Sequence, residues 1–251
     1  MLQIFFLFVF GLCVGSFLNV LIYRLPNELS PLKGRSFCDH CKHQLAWKDN
    51  IPLLSFPFLR SRCRYCHSPI SWQHPVVEMI TGLAFVFVYQ WVMGWCSASF
   101  DGYMAIWLYG YIVSSLIVVF FADLKYQIIP DKIVYPAMII AGMSGILGIS
   151  GVSIKLGMLS GLGAGGFFLA LFLLTRGKGM GFGDVKFAFL MGLILGFPKI
   201  IIALYLAFLT GALVGVILIL SKKKRFGQHI PFGPFLVGGT VVSMFYGNQI
   251  W

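Results

Sequence analysis

Long apolar runs alternate with short polar links along almost the whole chain, and eight of the runs are spaced like membrane helices. The pattern predicts spans over 2–23, 75–95, 102–121, 133–149, 154–175, 185–197, 199–220 and 231–250. The one long interruption is 24–74, which is polar, basic and cysteine-bearing. The expected architecture is an all-α polytopic membrane protein of about eight transmembrane helices. It divides into a first helix (1–23), a small loop domain (24–74) and a membrane-embedded remainder (75–251).

Composition agrees with this reading. The 251 residues are 59% hydrophobic and 11% charged, against about 25% charged in soluble domains. The net charge is +11, which in a soluble protein would suggest a nucleic-acid partner. Its distribution argues otherwise. The opening run carries no basic residue before Arg24, so the first helix is expected to run from outside to cytoplasm. The loops then alternate, with 24–74, 122–132, 176–184 and 221–230 inside. On that topology 17 of the 19 Lys and Arg residues fall on or beside cytoplasmic segments, Lys155 and Lys199 excepted. Lys178, Lys186 and the run Lys222, Lys223, Lys224, Arg225 are thereby markers of orientation, and nucleic acid is not an expected partner.

Glycines recur at intervals of four, at Gly157, Gly161 and Gly165, at Gly192 and Gly196, and at Gly211 and Gly215. Small residues so spaced let helix backbones approach closely. No long-period repeat and no low-complexity linker is expected.

The loop carries CDHC (Cys38, Cys41) and CRYC (Cys63, Cys66), with 21 residues between the pairs. Two C-x-x-C pairs at this separation read as one tetrahedral zinc site, and four thiolates leave no open position for catalytic water. The expected role is a structural staple for a loop too small to hold a core. On the reducing side of the membrane, disulfides are disfavoured. His40, His43 and His67 read as surface residues, and Cys13 and Cys96 as small buried or interfacial groups.

Of eight acidic residues, Glu28, Asp39, Asp49 and Asp101 read as solvated. Glu78, Asp123, Asp131 and Asp184 stand at membrane boundaries, where an ionisable group is a functional candidate. Glu78 and Asp131 also suit the start of a helix. Asp123 stands at the C-terminal end of a span, where the helix dipole disfavours an anion. The topology returns Asp123 and Asp184 to the same membrane level. The span after Asp184 has only 13 residues before Pro198, about 20 Å of helix, so Asp184 is expected below the surface in a wet crevice. Two carboxylates facing each other there would share a proton, one acting as general base and the other as general acid. Gly181 and Gly183 leave room for another backbone to approach.

With DLKYQIIPD (123–131) and GFGD (181–184) in place, the chain resembles the type 4 prepilin peptidases. GSFLNVLIYRLP, RSFCDHC, IPLLSF, RCRYCHSPIS, HPVVEMITG and IPFGPFL extend the likeness over nearly the whole sequence. The resemblance implies a bacterial inner-membrane aspartic endopeptidase with Asp123 and Asp184 catalytic and its active site facing the cytoplasm. It implies cleavage of the basic leader of prepilins or pseudopilins after a glycine. In many members it also implies N-methylation of the new N-terminus with S-adenosylmethionine, for which no site is assigned. Gly181, Gly183, Asp131 and Glu78 are expected near the substrate, and membrane lipid is the other expected partner.

Two other readings fit less well. A proton-coupled transporter with intramembrane aspartates would place them at mid-membrane, within inverted repeats. A zinc-dependent assembly protein would not need eight spans.

Overall fold

The computed structural model describes residues 1–31, 33–95, 100–177, 179–221 and 231–251. Cys96, Lys178, Lys222, Lys223, Lys224 and Arg225 lie outside them. Helices form wherever the apolar pattern predicts one. They are α1 (Leu2–Arg24), α3 (Gln73–Trp95), α4 (Phe100–Tyr126), α5 (Asp131–Leu147), α6 (Ile154–Leu174), α7 (Phe182–Leu195), α8 (Lys199–Leu220) and α9 (Gly233–Ile250), with two short turns in the loop, a 3-10 turn (Trp47–Asn50) and α2 (Ser55–Phe58). Among the described residues five are long and apolar enough to cross a membrane: α1, α3, α4, α6 and α8. The protein is therefore an all-α, polytopic membrane protein. The shorter α5 and α7 have 17 and 14 residues.

The chain forms two compact units, Met1–Gly102 and Tyr103–Trp251. In the first, α1 packs along α3. Gly11 and Gly15 make this fit possible, because a Cβ on either would meet Gly82 Cα at 2.9 Å or Glu78 Cα at 2.7 Å. Arg24 ends α1 and is buried. Its guanidinium donates to the carbonyls of Lys33 at 2.7 Å, Arg35 at 2.9 Å and Ser30 at 3.1 Å, so the chain leaving the helix wraps around it. The charge is compensated by carbonyl dipoles rather than by a carboxylate.

The loop contains a repeat that the sequence reading did not anticipate. RSFCDHCKHQLAW (35–47) and RSRCRYCHSPISW (60–72) align with each position matching the one 25 further on, and their cysteine turns (38 with 63, 41 with 66) fold alike. Cys38 N–H donates to His43 O at 3.0 Å and Cys63 N–H to Ser68 O at 2.9 Å. Lys42 N–H returns to Cys38 O and His67 N–H to Cys63 O. Lys42 and His67 both take positive φ, +58° and +57°, which closes each turn so that its two thiols point the same way. Two antiparallel bridges, Phe37 with Gln44 and Arg62 with Pro69, complete the match.

In the second unit the most extensive pairing is α6 with α7, followed by α8 with α9. The α6–α7 seam is built on glycine as the spacing suggested. Gly157 lies against Leu193 O and Gly161 against Phe189 O, while the backbones of Gly161 and Gly192 touch. In α8, Gly211 faces Phe232 and Phe235. Gly196 serves differently: with φ +64° it caps the C-terminus of α7. Cys13, expected to be buried or interfacial, is exposed on α1, where the outward face of a membrane-length helix meets lipid.

Gly192→Ala is expected to destabilise the protein by about 1–3 kcal/mol, since the new methyl group has no space and the facing backbone cannot yield. Thermal unfolding in detergent measures this. Gly163→Ala, which places a methyl group in open space, should leave the midpoint unchanged or raised.

Candidate active site

Four helix ends meet in the second unit. α4 runs five residues past its predicted end, which puts Asp123 on the helix three residues before its last turn closes. Asp123 O then accepts from Gln127 N at 2.9 Å, and Gln127, with φ +56°, turns the chain out of α4. Ile128, Ile129 and Pro130 form the link to α5. α7 starts against this link: a Cβ on Gly183 would lie 3.0 Å from Ile129 Cβ. Gly183 is thus a packing position in this structure, admitting the first turn of α7 to the α4–α5 corner.

Asp184 is the third residue of α7. Its Oδ2 accepts from the Gly181 N–H at 3.1 Å, the reciprocal bond that closes a helix N-terminus. Asp184 therefore also serves to start its helix. That role does not account for the residue's burial. Asp184 is 8% exposed and Asp123 6%, and the two carboxylates lie close enough for their charges to interact.

The residue that completes the site was missed in the sequence. Gly233 opens α9, and its N–H donates to Asp123 Oδ2 at 2.8 Å in a buried bond spanning 110 positions. The positive end of the α9 dipole offsets the unfavourable C-terminal end of α4 on which Asp123 sits. Only glycine fits, because a Cβ there would lie 2.7 Å from the same oxygen. The one local signal was the Gly-Pro pair that opens the last span, with Pro at a first-turn position.

Asp131 stands in the first turn of α5, as expected. Its two oxygens both accept from Lys186 Nζ at 2.8 Å. The ammonium also lies over the rings of Phe182 and Tyr135, at 5.1 and 5.4 Å. Lys186, expected only as an orientation marker, clamps α5 to α7 beside the carboxylate pair.

Glu78 belongs to the first unit, and its helix-starting role does not hold. α3 begins at Gln73 with no acidic residue in its first turn. The carboxylate accepts from the Leu53 N–H at 2.8 Å and bonds Ser16 of α1. Asp49, expected to be solvated, is also engaged. Its side chain is 2% exposed, accepts from Arg64 Nε at 2.8 Å, and takes the Ala46 N–H at 3.2 Å.

The four cysteines of the two C-x-x-C turns converge. Their Sγ atoms lie within 4.8 Å of one another, and Cys38 and Cys66 Sγ are 3.8 Å apart. A tetrahedral metal with bonds of about 2.3 Å to sulfur needs roughly this edge, so the donor set fits such an ion. Ser68 Oγ, 3.0 Å from Cys66 Sγ, helps hold that thiol down to about 6, in the thiolate state a metal takes up. Among the described residues no histidine joins the cluster. His43 instead stacks on Tyr65 of the other turn, with ring centres 3.7 Å apart.

Fold and site together define a polytopic membrane protein with two buried, interacting aspartates at converging helix ends. Two family profiles match the chain, the Bacterial Peptidase A24 N-terminal domain over residues 9–92 and the Type IV leader peptidase family over residues 110–216. Among curated relatives, the chain is 34% identical to the prepilin leader peptidase/N-methyltransferase of Aeromonas hydrophila, over 97% of this chain and 90% of that protein. It is 33% identical to the protein of the same name from Legionella pneumophila, over 96% and 91%. It is 30% identical to that from Burkholderia pseudomallei strain 1026b, over 100% and 87%. No solved structure matches it. The chain belongs to the type IV leader peptidase family.

Gly233→Ala is expected to cost about 1–3 kcal/mol of stability, because the methyl group must displace either the Asp123 carboxylate or the start of α9. Thermal unfolding in detergent, with Gly238→Ala in open space as the control, measures it.

Proposed function

We propose that this protein is a membrane aspartic endopeptidase that removes the leader of type 4 prepilins or pseudopilins, with Asp123 and Asp184 as the reacting pair. The observation that carries the assignment is the burial of both carboxylates within interaction range, each oriented by one backbone N–H. One carboxylate takes a proton from water as the oxygen attacks the scissile carbonyl carbon. The other, protonated, gives its proton to the carbonyl oxygen. As the tetrahedral species collapses, one of its two hydroxyls returns its proton to the pair, the C–N bond breaks, and the leaving amine takes a proton from the pair, which ends with the single proton it began with. Gly233 and Gly181 each favour charge on their own aspartate, so base and acid are properties of the pair.

The peptidase chemistry belongs to the unit Tyr103–Trp251, where both aspartates and Lys186 lie. Eight helices, α1 and α3–α9, make up the membrane part, with α7 short and the reacting pair recessed at its N-terminus. The charge asymmetry of the sequence supports an N-terminus outside, with the pair facing the cytoplasm, the side on which a basic leader would be held. Gly181 and Gly183 border the approach to Asp184. Asp131 acts through Lys186 to hold the α4–α5 corner against α7.

The cysteine cluster is a structural zinc site. Cys38, Cys41, Cys63 and Cys66 would fill the coordination shell, leaving the metal no part in peptide hydrolysis. The relatives' name includes N-methyltransferase, and the family resemblance implies S-adenosylmethionine as methyl donor to the new N-terminus. The described residues contain no strand followed by a glycine-rich turn of the nucleotide-binding kind, and no step is derived through this cofactor.

Asp123→Asn and Asp184→Asn should each abolish leader cleavage, by at least about 1,000-fold, while the protein still inserts and unfolds as the parent does. Mass analysis of a prepilin incubated with each variant in detergent measures this, and processing at the parental rate by either would remove the pair from the mechanism. Metal analysis should find about one zinc per chain, with loss of the metal in Cys38→Ser and in Cys63→Ser alike.

A further inference from the structure

One stretch of the loop does not behave like a loop. Residues 51–59, IPLLSFPFL, carry no charge and a single hydroxyl, Ser55, within a segment otherwise rich in Lys and Arg. A polar loop would turn these side chains inward. Here Leu54 is 56% and Phe58 83% exposed, and Trp72, which packs edge-on against Phe56 at 4.7 Å, is 70% exposed.

The position of this stretch along α3 accounts for that exposure. Leu53 N–H is bonded to Glu78 Oε2 at 2.8 Å. Glu78 is five residues into α3, a helix long and apolar enough to span a membrane from Gln73 to Gly94. At 1.5 Å per residue it lies about 7.5 Å along the helix from its start. The polar zone of one leaflet is about 5–8 Å deep. The bond therefore holds Leu53, and α2 directly after it, at the boundary between headgroups and hydrocarbon. The outward side chains of α3 around that depth and beyond it are apolar and exposed as well: Val76 just before it, then Met79, Ile80 and Leu83. Leu54 and Phe58, in the stretch pinned by that bond, and Trp72, one residue before α3, are likewise exposed. Beyond Leu59, Arg60 and Arg62 are exposed, in the place where long cationic side chains reach back to lipid phosphates.

We infer that residues 51–59 form a monotopic foot seated in the bilayer interface, with Leu54, Phe58 and Trp72 in contact with lipid and Glu78 as its anchor on α3. The partner is the acyl and headgroup boundary of the membrane itself. The two cysteine turns, which flank this stretch at 35–47 and 60–72, are thereby held against the membrane surface rather than carried free in solvent. The inference rests on the membrane reading of α3 and is independent of the peptidase assignment.

The test replaces Phe58, and separately Leu54, by the photoreactive p-benzoylphenylalanine in the full-length protein, with Asp39, an exposed loop position, as the control. Each protein is reconstituted into phosphatidylglycerol and phosphatidylethanolamine vesicles, irradiated and weighed intact. Phospholipid adducts at 58 and 54 should exceed those at 39 by about fivefold or more. Adduct yields at both positions equal to that at 39 would overturn the inference. So would capture of a second protein chain in place of lipid. The two positions guard against failure of one variant to fold.

Discussion

A buried carboxylate must find a donor, and the site is arranged around that requirement. Asp123 sits near the C-terminal end of α4, the end of a helix least hospitable to an anion. Its oxygen is satisfied by Gly233 N–H, at the first residue of a helix that starts 110 positions later. Much follows from this one bond. α9 must begin at that depth, its first residue must lack a side chain, and α8 must return the chain to the right end of the unit. Asp184 is satisfied locally by Gly181, so it needs no distant helix and can travel with α7. The two carboxylates are thus held by independent devices and feel each other's charge because α7 comes close.

That closeness is a matter of glycine. Gly161 and Gly192 bring the α6 and α7 backbones into contact, and Gly183 lets the start of α7 settle on Ile129. With 14 residues α7 is short for a membrane helix, and its start is deep in the unit. The bidentate Asp131–Lys186 pair ties α5 to the same turn. Exposed ion pairs add little stability, but one that is bidentate and flanked by two rings fixes position. It defines where the turn bearing Asp184 stands relative to the corner after Asp123.

The helices could be read from the chain because each leaves a local trace, and the same pattern picked out the two aspartates proposed as the reacting pair. A membrane helix needs an unbroken apolar run, and charge asymmetry then puts Asp123 and Asp184 at one level. The cysteine turns were visible for the same reason. What was missed depends on partners distant in sequence. Nothing near Gly233 announces Asp123, and nothing near Glu78 announces the Leu53 amide. Asp49 looked solvated because its partner, Arg64, lies in the other half of the loop. The 25-residue repeat escaped notice because two copies make no period. It emerges when Cys38 is laid on Cys63 and Trp47 on Trp72, and then the hydrogen bonds agree position by position.

The repeat has a consequence for how the loop can be assembled. Each copy presents two thiols on a rigid turn, and neither owns a complete set of ligands. A metal held by all four sulfurs would need both copies formed and in register, so such a site would act as a coincidence detector within a single chain. Between the two copies run the residues that rest on α3 through Glu78. Closing the centre therefore also closes the chain around that anchor, and a local chemical event reports that the whole first unit has found its partners.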